Sequence, residues 1–235
     1  MMVRRGEEDE GVSIMPVCAI CGQVVEKVTS DHIPPKSLFG TKPNNLITVP
    51  ACPACNGGSS ADDEYFRLIA SEVDTAVHPD AKKASEAIVR SMGRSQATGF
   101  RESLRRSMYP VEVPVGDATE VRPFVGLDVR RLDRTADKIT RGLFYHSKGY
   151  PVPANYKVLA TNLDLFMVRP SSVKIAKLIY NYLLPKCSWI KPTVIGNDVF
   201  SYRIFFEEDD VNTVFVLMEF YGRWRYFGLV WESPR

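Results

Sequence analysis

The sequence lacks the patterns that would place the chain in a membrane or send it across one. No apolar run exceeds five residues, as in 214–218, whereas a membrane-spanning helix needs about 20. Acidic residues fill 7–10, where a secretory signal would be apolar. Internal repeats and low-complexity stretches are also missing. We therefore expect a cytoplasmic protein that makes no membrane contact.

A strong excess of one charge is missing as well, since 30 Lys and Arg against 28 Asp and Glu leave a net charge of +2. The first 16 residues hold two Arg and four acids, so the rest carries 28 minus 24, or +4. Between 90 and 150 there are twelve Lys and Arg against seven acids. This mild excess permits a polyanionic partner without requiring one. With 45% hydrophobic residues, the 235-residue chain can bury the core of one large domain or two small ones.

Cysteine is scarce, but four of the five cysteines form two C-x-x-C pairs, Cys18 with Cys21 and Cys52 with Cys55. In a reducing compartment, four thiolates in two such turns suit a tetrahedral Zn²⁺ better than disulfides. Two separate redox pairs are the alternative, although a redox C-x-x-C is expected singly, at a strand-to-helix junction. We predict one structural zinc site, and we expect Cys187 to be a buried apolar residue.

The segment between the two cysteine pairs carries a second group of polar residues, which are not cysteines. It predicts a strand over 24–30 that leads to Asp31 and His32, then a loop containing Asn45, then a short second strand. Asn56 directly follows the second pair. The order C-x-x-C, Asp-His-Ile-x-Pro, Asn-Leu and C-x-x-C-Asn, within 17–60, resembles the HNH (His-Me finger) endonuclease family.

The resemblance implies a zinc-fastened ββα-metal unit, in which a β-hairpin and a helix hold one divalent cation. It implies that Asp31 and Asn56 bind this cation, that His32 is the general base and that Asn45 fixes the loop. Carboxylate and amide oxygens are hard ligands, so the cation would be Mg²⁺ or Mn²⁺.

These residue types suit phosphodiester hydrolysis. A phosphodiester repels an anionic nucleophile and has a poor leaving group, so a base and a cation both accelerate its cleavage. His32, with an ordinary pKa of about 6.5, is mostly neutral at pH 7 and can take a proton from water. In an extended strand Asp31 and His32 point to opposite faces, so cation binding and proton abstraction need not compete.

Each of these residues also has an ordinary structural interpretation. Asp31 could cap a turn, His32 could be a surface histidine, and Asn45 and Asn56 are common turn or cap residues. Taken together, in this order and inside a four-cysteine frame, they favour the nuclease interpretation.

The sequence departs from the family after the second cysteine pair. Gly-Gly-Ser fills 57–59, where the family often carries a Lys, and the acids at 62–64 lie where DNA would run. Metal-dependent cleavage of DNA is our principal prediction. A non-catalytic zinc module that binds nucleic acid or a protein is the first alternative, and an RNA-cleaving toxin with the same site is the second.

Beyond the zinc unit the pattern predicts an α+β protein with a C-terminal antiparallel meander. Helices are predicted over 62–77, 80–92, 100–108, 130–147 and 171–184, and strands over 111–115, 121–127, 200–206, 213–221 and 224–231. We expect the many aromatic residues of the meander to pack in the core, with a base-stacking platform as the alternative. The predicted units are an acidic disordered tail (1–15), the HNH unit (16–61), a helical connector (62–108) and an α+β C-terminal module (109–235).

A basic face on the predicted helix 130–147 is the candidate substrate-binding surface. Arg130, Arg134, Lys138 and Arg141 recur at helical spacing and would contact DNA phosphates, with a solvated helix surface as the alternative. We expect the side chains of Arg134 and Lys138 to be exposed. A protein partner or a second copy of the chain would bind through the C-terminal module.

Overall fold

The computed structural model describes residues 15–72, 78–116, 118–167 and 173–233. Nearly all of the predicted acidic tail therefore lies outside the described residues, as do the ends of two predicted helices at 73–77 and 171–172. Among the described residues, no helix is both long and apolar enough to cross a membrane.

The N-terminal elements form a hairpin followed by a helix. Strand β1 (Thr29–Ile33) pairs antiparallel with β2 (Ile47–Ala51), which leads into the one-turn helix α1 (Pro53–Asn56). Glycines at 57–58 follow α1, in line with its short length, since glycine is a poor helix former. Helix α2 (Ser60–Glu72) then begins.

Strand β1 begins later than the sequence predicts. Val24 forms an isolated bridge with Val17 inside the first cysteine turn, so it is not part of the hairpin. As a result, Asp31 and His32 lie within β1 instead of following it.

Three predicted helices and a hairpin of two predicted strands fill the middle of the chain. Helices α3 (Pro79–Met92), α4 (Thr98–Ser107) and α5 (Val129–Lys148) confirm the predicted segments. Strands β3 (Met108–Val115) and β4 (Ala118–Val125) pair with each other, remain largely exposed and lie outside the main sheet. Helix α5 ends at Gly149, whose φ of 78° is the left-handed conformation favoured at helix C-termini.

The main sheet has five antiparallel strands in the order β5-β9-β8-β7-β6. Its strands are β5 (Tyr156–Asn162), β6 (Thr193–Ile195), β7 (Phe200–Phe206), β8 (Val214–Phe220) and β9 (Trp224–Glu232). Strands β7 to β9 form the predicted meander. Between β5 and β6 lie α6 (Leu163–Met167), α7 (Val173–Leu178), a π-helical turn (Ile179–Leu183) and α8 (Leu184–Ser188).

Both faces of this sheet are apolar, so helices cover it on two sides. Val216 and Met218 of β8 belong to the principal core together with residues of α2 and α5. Phe215, which precedes Val216 and points to the opposite face of the sheet, belongs to a second core formed with α6, α7 and the π-helical turn. The buried aromatic residues of the meander therefore pack in these cores, as predicted.

Helix α5 lies directly against β1, and glycine allows this contact. A Cβ at position 142 would lie 2.5 Å from Cγ1 of the fully buried Ile33. The helix that packs on the main sheet therefore also packs on the strand that carries Asp31 and His32.

Candidate functional site

Four cysteines form a cluster with the donors and size of a zinc site. The Sγ atoms of Cys18, Cys21, Cys52 and Cys55 all lie within 4.8 Å of one another, and those of Cys21 and Cys52 are 4.0 Å apart. Thiolates bound tetrahedrally at about 2.3 Å from Zn²⁺ would be about 3.8 Å apart. The two C-x-x-C pairs therefore come together, as the zinc prediction requires.

Backbone turns position these thiols. Gly22, with φ of 73°, donates its N–H to the carbonyl of Cys18, and the carbonyl of Cys52 accepts the N–H of Cys55. The N–H of Cys52 also points to Sγ of Cys18 at 3.3 Å. Burial acts to raise the pKa of the Cys18 thiol, but backbone N–H groups of both turns lower it to about 7. The fold therefore favours the thiolate at Cys18, whereas burial raises the pKa of the Cys21 and Cys55 thiols in the absence of a metal ion.

Asp31 and His32 point to opposite faces of β1, as the alternation of an extended strand predicts. Asp31 is 5% exposed, whereas His32 is half-buried. Oδ1 of Asp31 accepts the backbone N–H of His32 at 2.8 Å. Burial lowers the pKa of His32, and the charges of Lys42 and Lys36 lower it further, against the opposing effect of Asp31. The imidazole is therefore neutral at pH 7, as a general base must be.

His32 lines an open cavity of about 320 Å³ that also contains cationic side chains. Lys36 and Arg67 lie in its wall. Arg67 is 3.6 Å from Glu64, and its buried Nε has no hydrogen-bond partner within the described part of the chain. The cavity thus combines a neutral base and two cations with three carboxylates, those of Asp31, Asp63 and Glu64.

Lys138 of α5 reaches the other oxygen of Asp31. Its Nζ lies 3.0 Å from Oδ2 of Asp31, 2.9 Å from Oδ2 of Asp63 on α2 and 2.9 Å from Oγ of Ser59. The Lys138 side chain is only 5% exposed. Burial acts to lower the pKa of Lys138, but the two carboxylates outweigh it and raise this pKa above its ordinary value. Lys138 is therefore a buried ammonium ion.

In this arrangement, Asp31 does not fit a Mg²⁺ or Mn²⁺ site. Its Oδ1 accepts the backbone N–H of His32, and its buried Oδ2, which has no hydrogen-bond partner among the described residues, faces the Lys138 ammonium at 3.0 Å. The amide nitrogen of Asn56 donates to Oγ1 of Thr29 at 2.9 Å, which ties α1 to the start of β1. Of the two divalent-cation ligands implied by the resemblance, Asp31 therefore faces a competing cation, whereas Asn56 uses only its amide nitrogen to hold Thr29.

Asn45 lies in the loop between β1 and β2 and does not line the cavity that contains His32. Its Nδ2 donates to the carbonyl of Val194 on β6 at 2.9 Å. The asparagine that the sequence assigns to fixing a loop thus fastens this loop to the edge of the main sheet.

The structure corrects the predicted basic face of α5. Lys138 was expected to be exposed but is buried, because α5 packs against both β1 and α2. Arg134 pairs with Asp62 at 2.6 Å, and Arg141 pairs with Asp137 at 2.8 Å. Arg130 is 90% exposed. Contact of Arg130, Arg134 and Arg141 with DNA stays a prediction.

Asp63 and Ser59 are site residues that the sequence analysis did not identify. Their signal is weak, because the acids at 62–64 are typical of the first turn of a helix. The burial of Lys138 agrees with its place on α5. Thr135, three residues before it, and Gly142, four residues after it, lie on the same face of the helix and are also buried.

Comparison with known proteins finds no relative of this chain. The chain matches no protein-family model, no curated protein and no solved structure. The site is therefore interpreted from its own residues.

Proposed function

We propose that the protein is an HNH-type endonuclease that hydrolyses phosphodiester bonds in DNA, with His32 as its general base. One observation carries this proposal: a half-buried, neutral histidine shares an open cavity with Lys36 and Arg67. In the proposal Zn²⁺ fills the four-cysteine cluster and has a structural role, because four thiolates leave no open position for a substrate.

The cavity suggests how the reaction would proceed. A phosphate group would bind between Lys36 and Arg67, which supply charge-assisted hydrogen bonds to its non-bridging oxygens. His32 would take a proton from water as the water oxygen attacks phosphorus. The bond from phosphorus to the 3′ oxygen would then break, and this oxygen would take a proton from solvent. The two cations would offset the negative charge that develops on the phosphate oxygens.

The proposal contains no divalent cation at Asp31 and Asn56. Mg²⁺ or Mn²⁺ would suit this chemistry, but Asp31 already pairs with Lys138 at 3.0 Å. Positive charge at the phosphate is therefore assigned to Lys36 and Arg67, which line the cavity.

The decisive experiment compares wild type with His32→Ala on plasmid DNA, single-stranded DNA and RNA. We expect the variant to lose cleavage by a factor on the order of 10² or more, the usual contribution of a positioned base. His146→Ala is the matched control, because His146 is exposed and lies outside the cavity. Circular dichroism and zinc content should be unchanged in both variants.

Three other results would contradict the proposal in different ways. Equal cleavage by wild type and His32→Ala would remove His32 from the reaction. Cleavage of RNA alone would favour the toxin alternative. If wild type cleaved neither nucleic acid, the non-catalytic binding module would become the better interpretation.

A further inference from the structure

The ammonium group of Lys138 is surrounded by three oxygens. It donates hydrogen bonds to Oδ2 of Asp63 and Oγ of Ser59 and forms an ion pair with Oδ2 of Asp31 at 3.0 Å. The second oxygen of Asp63 also has a partner, since Oγ1 of Thr135 donates to it at 3.3 Å. The group is therefore held in one position by β1, α2 and the turn before α2.

This position is the one that a metal ion bound to the same carboxylates would need. Oxygen atoms of carboxylates and hydroxyls are the ligands of Mg²⁺ and Mn²⁺. A divalent ion between Asp31 and Asp63 would lie close to the Lys138 ammonium, and the repulsion would be large at a site only about 5% exposed. The Lys138 ammonium therefore opposes the binding of a divalent ion at Asp31.

The same ammonium is connected to His32. Oδ2 of Asp31 forms an ion pair with Lys138 at 3.0 Å, while Oδ1 accepts the backbone N–H of His32. Fixing the carboxylate at one oxygen fixes the acceptor at the other, and so constrains the backbone from which the imidazole projects.

We propose that Lys138 is the resident cation of this site: it excludes divalent ions from Asp31, and it acts through Asp31 as a positioning residue for His32. The second part rests on the proposed function, whereas the exclusion of divalent ions does not. DNA hydrolysis with His32 as the base consequently proceeds without a divalent cation at Asp31.

The first test measures Mn²⁺ binding and needs no enzymatic activity. The zinc-loaded full chain is titrated with Mn²⁺ while the electron paramagnetic resonance signal of free Mn²⁺ is followed. Wild type and Asp31→Asn should bind Mn²⁺ equally weakly. A stoichiometric Mn²⁺ site in wild type that is lost in Asp31→Asn would overturn the proposal.

The second test removes the resident charge. Lys138→Met keeps most of the side-chain volume, and we expect it to bind Mn²⁺ at least about tenfold more tightly than wild type, because the repulsion is gone. Adding Asp31→Asn to Lys138→Met should abolish this gain, and Arg130→Met on the exposed part of α5 is the control. A folded Lys138→Met without the gain would refute the exclusion. If Lys138→Met does not fold, the comparison of wild type with Asp31→Asn decides.

The positioning role has its own readout. Lys138→Met should lower kcat for cleavage with little change in KM, and added Mn²⁺ should restore part of the activity of this variant while leaving wild type unaffected. Cleavage by wild type that requires Mn²⁺ and Asp31 would contradict the proposal. If wild type cleaves nothing, the proposed function and the positioning role both fail, and Mn²⁺ binding alone then decides whether Lys138 excludes metal ions.

Discussion

The Lys138 side chain is buried to about 95% between two carboxylates, which is unusual for a lysine. Its charge determines how the surrounding charged residues are arranged. Its desolvation is costly, and the attraction of Asp31 and Asp63 offsets this cost only while both partners are in place. The three charges leave a net charge of −1 at the triad if both carboxylates are ionised. Loss of the ammonium would leave two carboxylates facing each other in a poorly solvated site.

Replacing Lys138 by Ala should therefore lower the free energy of unfolding strongly. Removing one member of a buried ion pair typically costs about 3–5 kcal/mol. Urea unfolding followed by circular dichroism at pH 7 measures this loss, and Arg130→Ala on the same helix should change stability by less than about 0.5 kcal/mol. Equal midpoints for the two variants would show that Lys138 behaves as a solvated residue.

At this scale the sequence predicts what depends on neighbouring positions. The opposite orientations of Asp31 and His32 follow from the two-residue repeat of a strand, and the cysteine pairs follow from their spacing. The pairing of Lys138 with Asp63 does not, because 75 residues separate them and only the packing of α5 on α2 brings them together.

Among the elements, the contact between α2 and α5 determines the geometry of the site. Asp62 of α2 accepts hydrogen bonds from Arg131 at 2.9 Å and Arg134 at 2.6 Å. The guanidinium of Arg131 also lies 4.5 Å from the centre of the Tyr65 ring. These contacts lie at one end of the interface between α2 and α5, and the same interface brings Lys138 next to Asp63.

The ion pairs of Asp62 should make stability depend on pH. Burial acts to raise the pKa of Asp62, but hydrogen bonds from Arg134 and Arg131 outweigh it, so that this pKa lies below its ordinary value. A carboxyl whose pKa is lower in the folded state stabilises the protein above its unfolded pKa, of about 4. This contribution is lost as the pH falls through the lower, folded value.

We therefore expect Asp62→Asn to cost roughly 1 kcal/mol at pH 7, the upper end for a partly exposed pair. The difference from wild type should shrink as the pH approaches 3, and urea midpoints across this range measure it. Glu86→Gln is the control, because the Glu86 pair with Arg90 is long, 3.9 Å, and both side chains are more than half exposed. A difference for Asp62→Asn that does not vary with pH would assign the effect to packing instead.

Element positions were predictable where the repeat was long and regular. Helix α5 and the meander were predicted nearly to their ends, whereas β5 and the three-residue β6 were missed. The sequence predicted β3 and β4 as strands but did not indicate that they pair only with each other. Tertiary packing decides which further strands a hairpin pairs with, and local sequence patterns do not contain this information.

Across the whole molecule, one core joins parts of the chain that the sequence had divided. The principal core contains Cys18 and Cys52 of the cysteine cluster, Phe66 of α2, Ile139 of α5 and Phe220 of the main sheet. Segments that share one continuous core are expected to unfold together, since separating them exposes apolar surface on both sides. The predicted boundaries at 61 and 108 thus run through a shared core.

This continuity gives a prediction for removal of the proposed zinc. Structural Zn²⁺ in small domains contributes an apparent free energy of about 10–16 kcal/mol, comparable to the total stability of a typical protein, about 5–15 kcal/mol. We therefore expect Cys18→Ser, or chelation of zinc from wild type, to unfold the main sheet as well as the N-terminal hairpin. The fluorescence of Trp224 and Trp231, both on β9, should change together with the far-ultraviolet circular dichroism in a single transition.

Cys187→Ala is the control: Cys187 lies in the second core, so this variant should keep its zinc and its single transition. If the tryptophan signal survives zinc removal while only part of the dichroism is lost, the N-terminal unit folds independently, and the site at His32 is then assembled by docking of two separately stable parts.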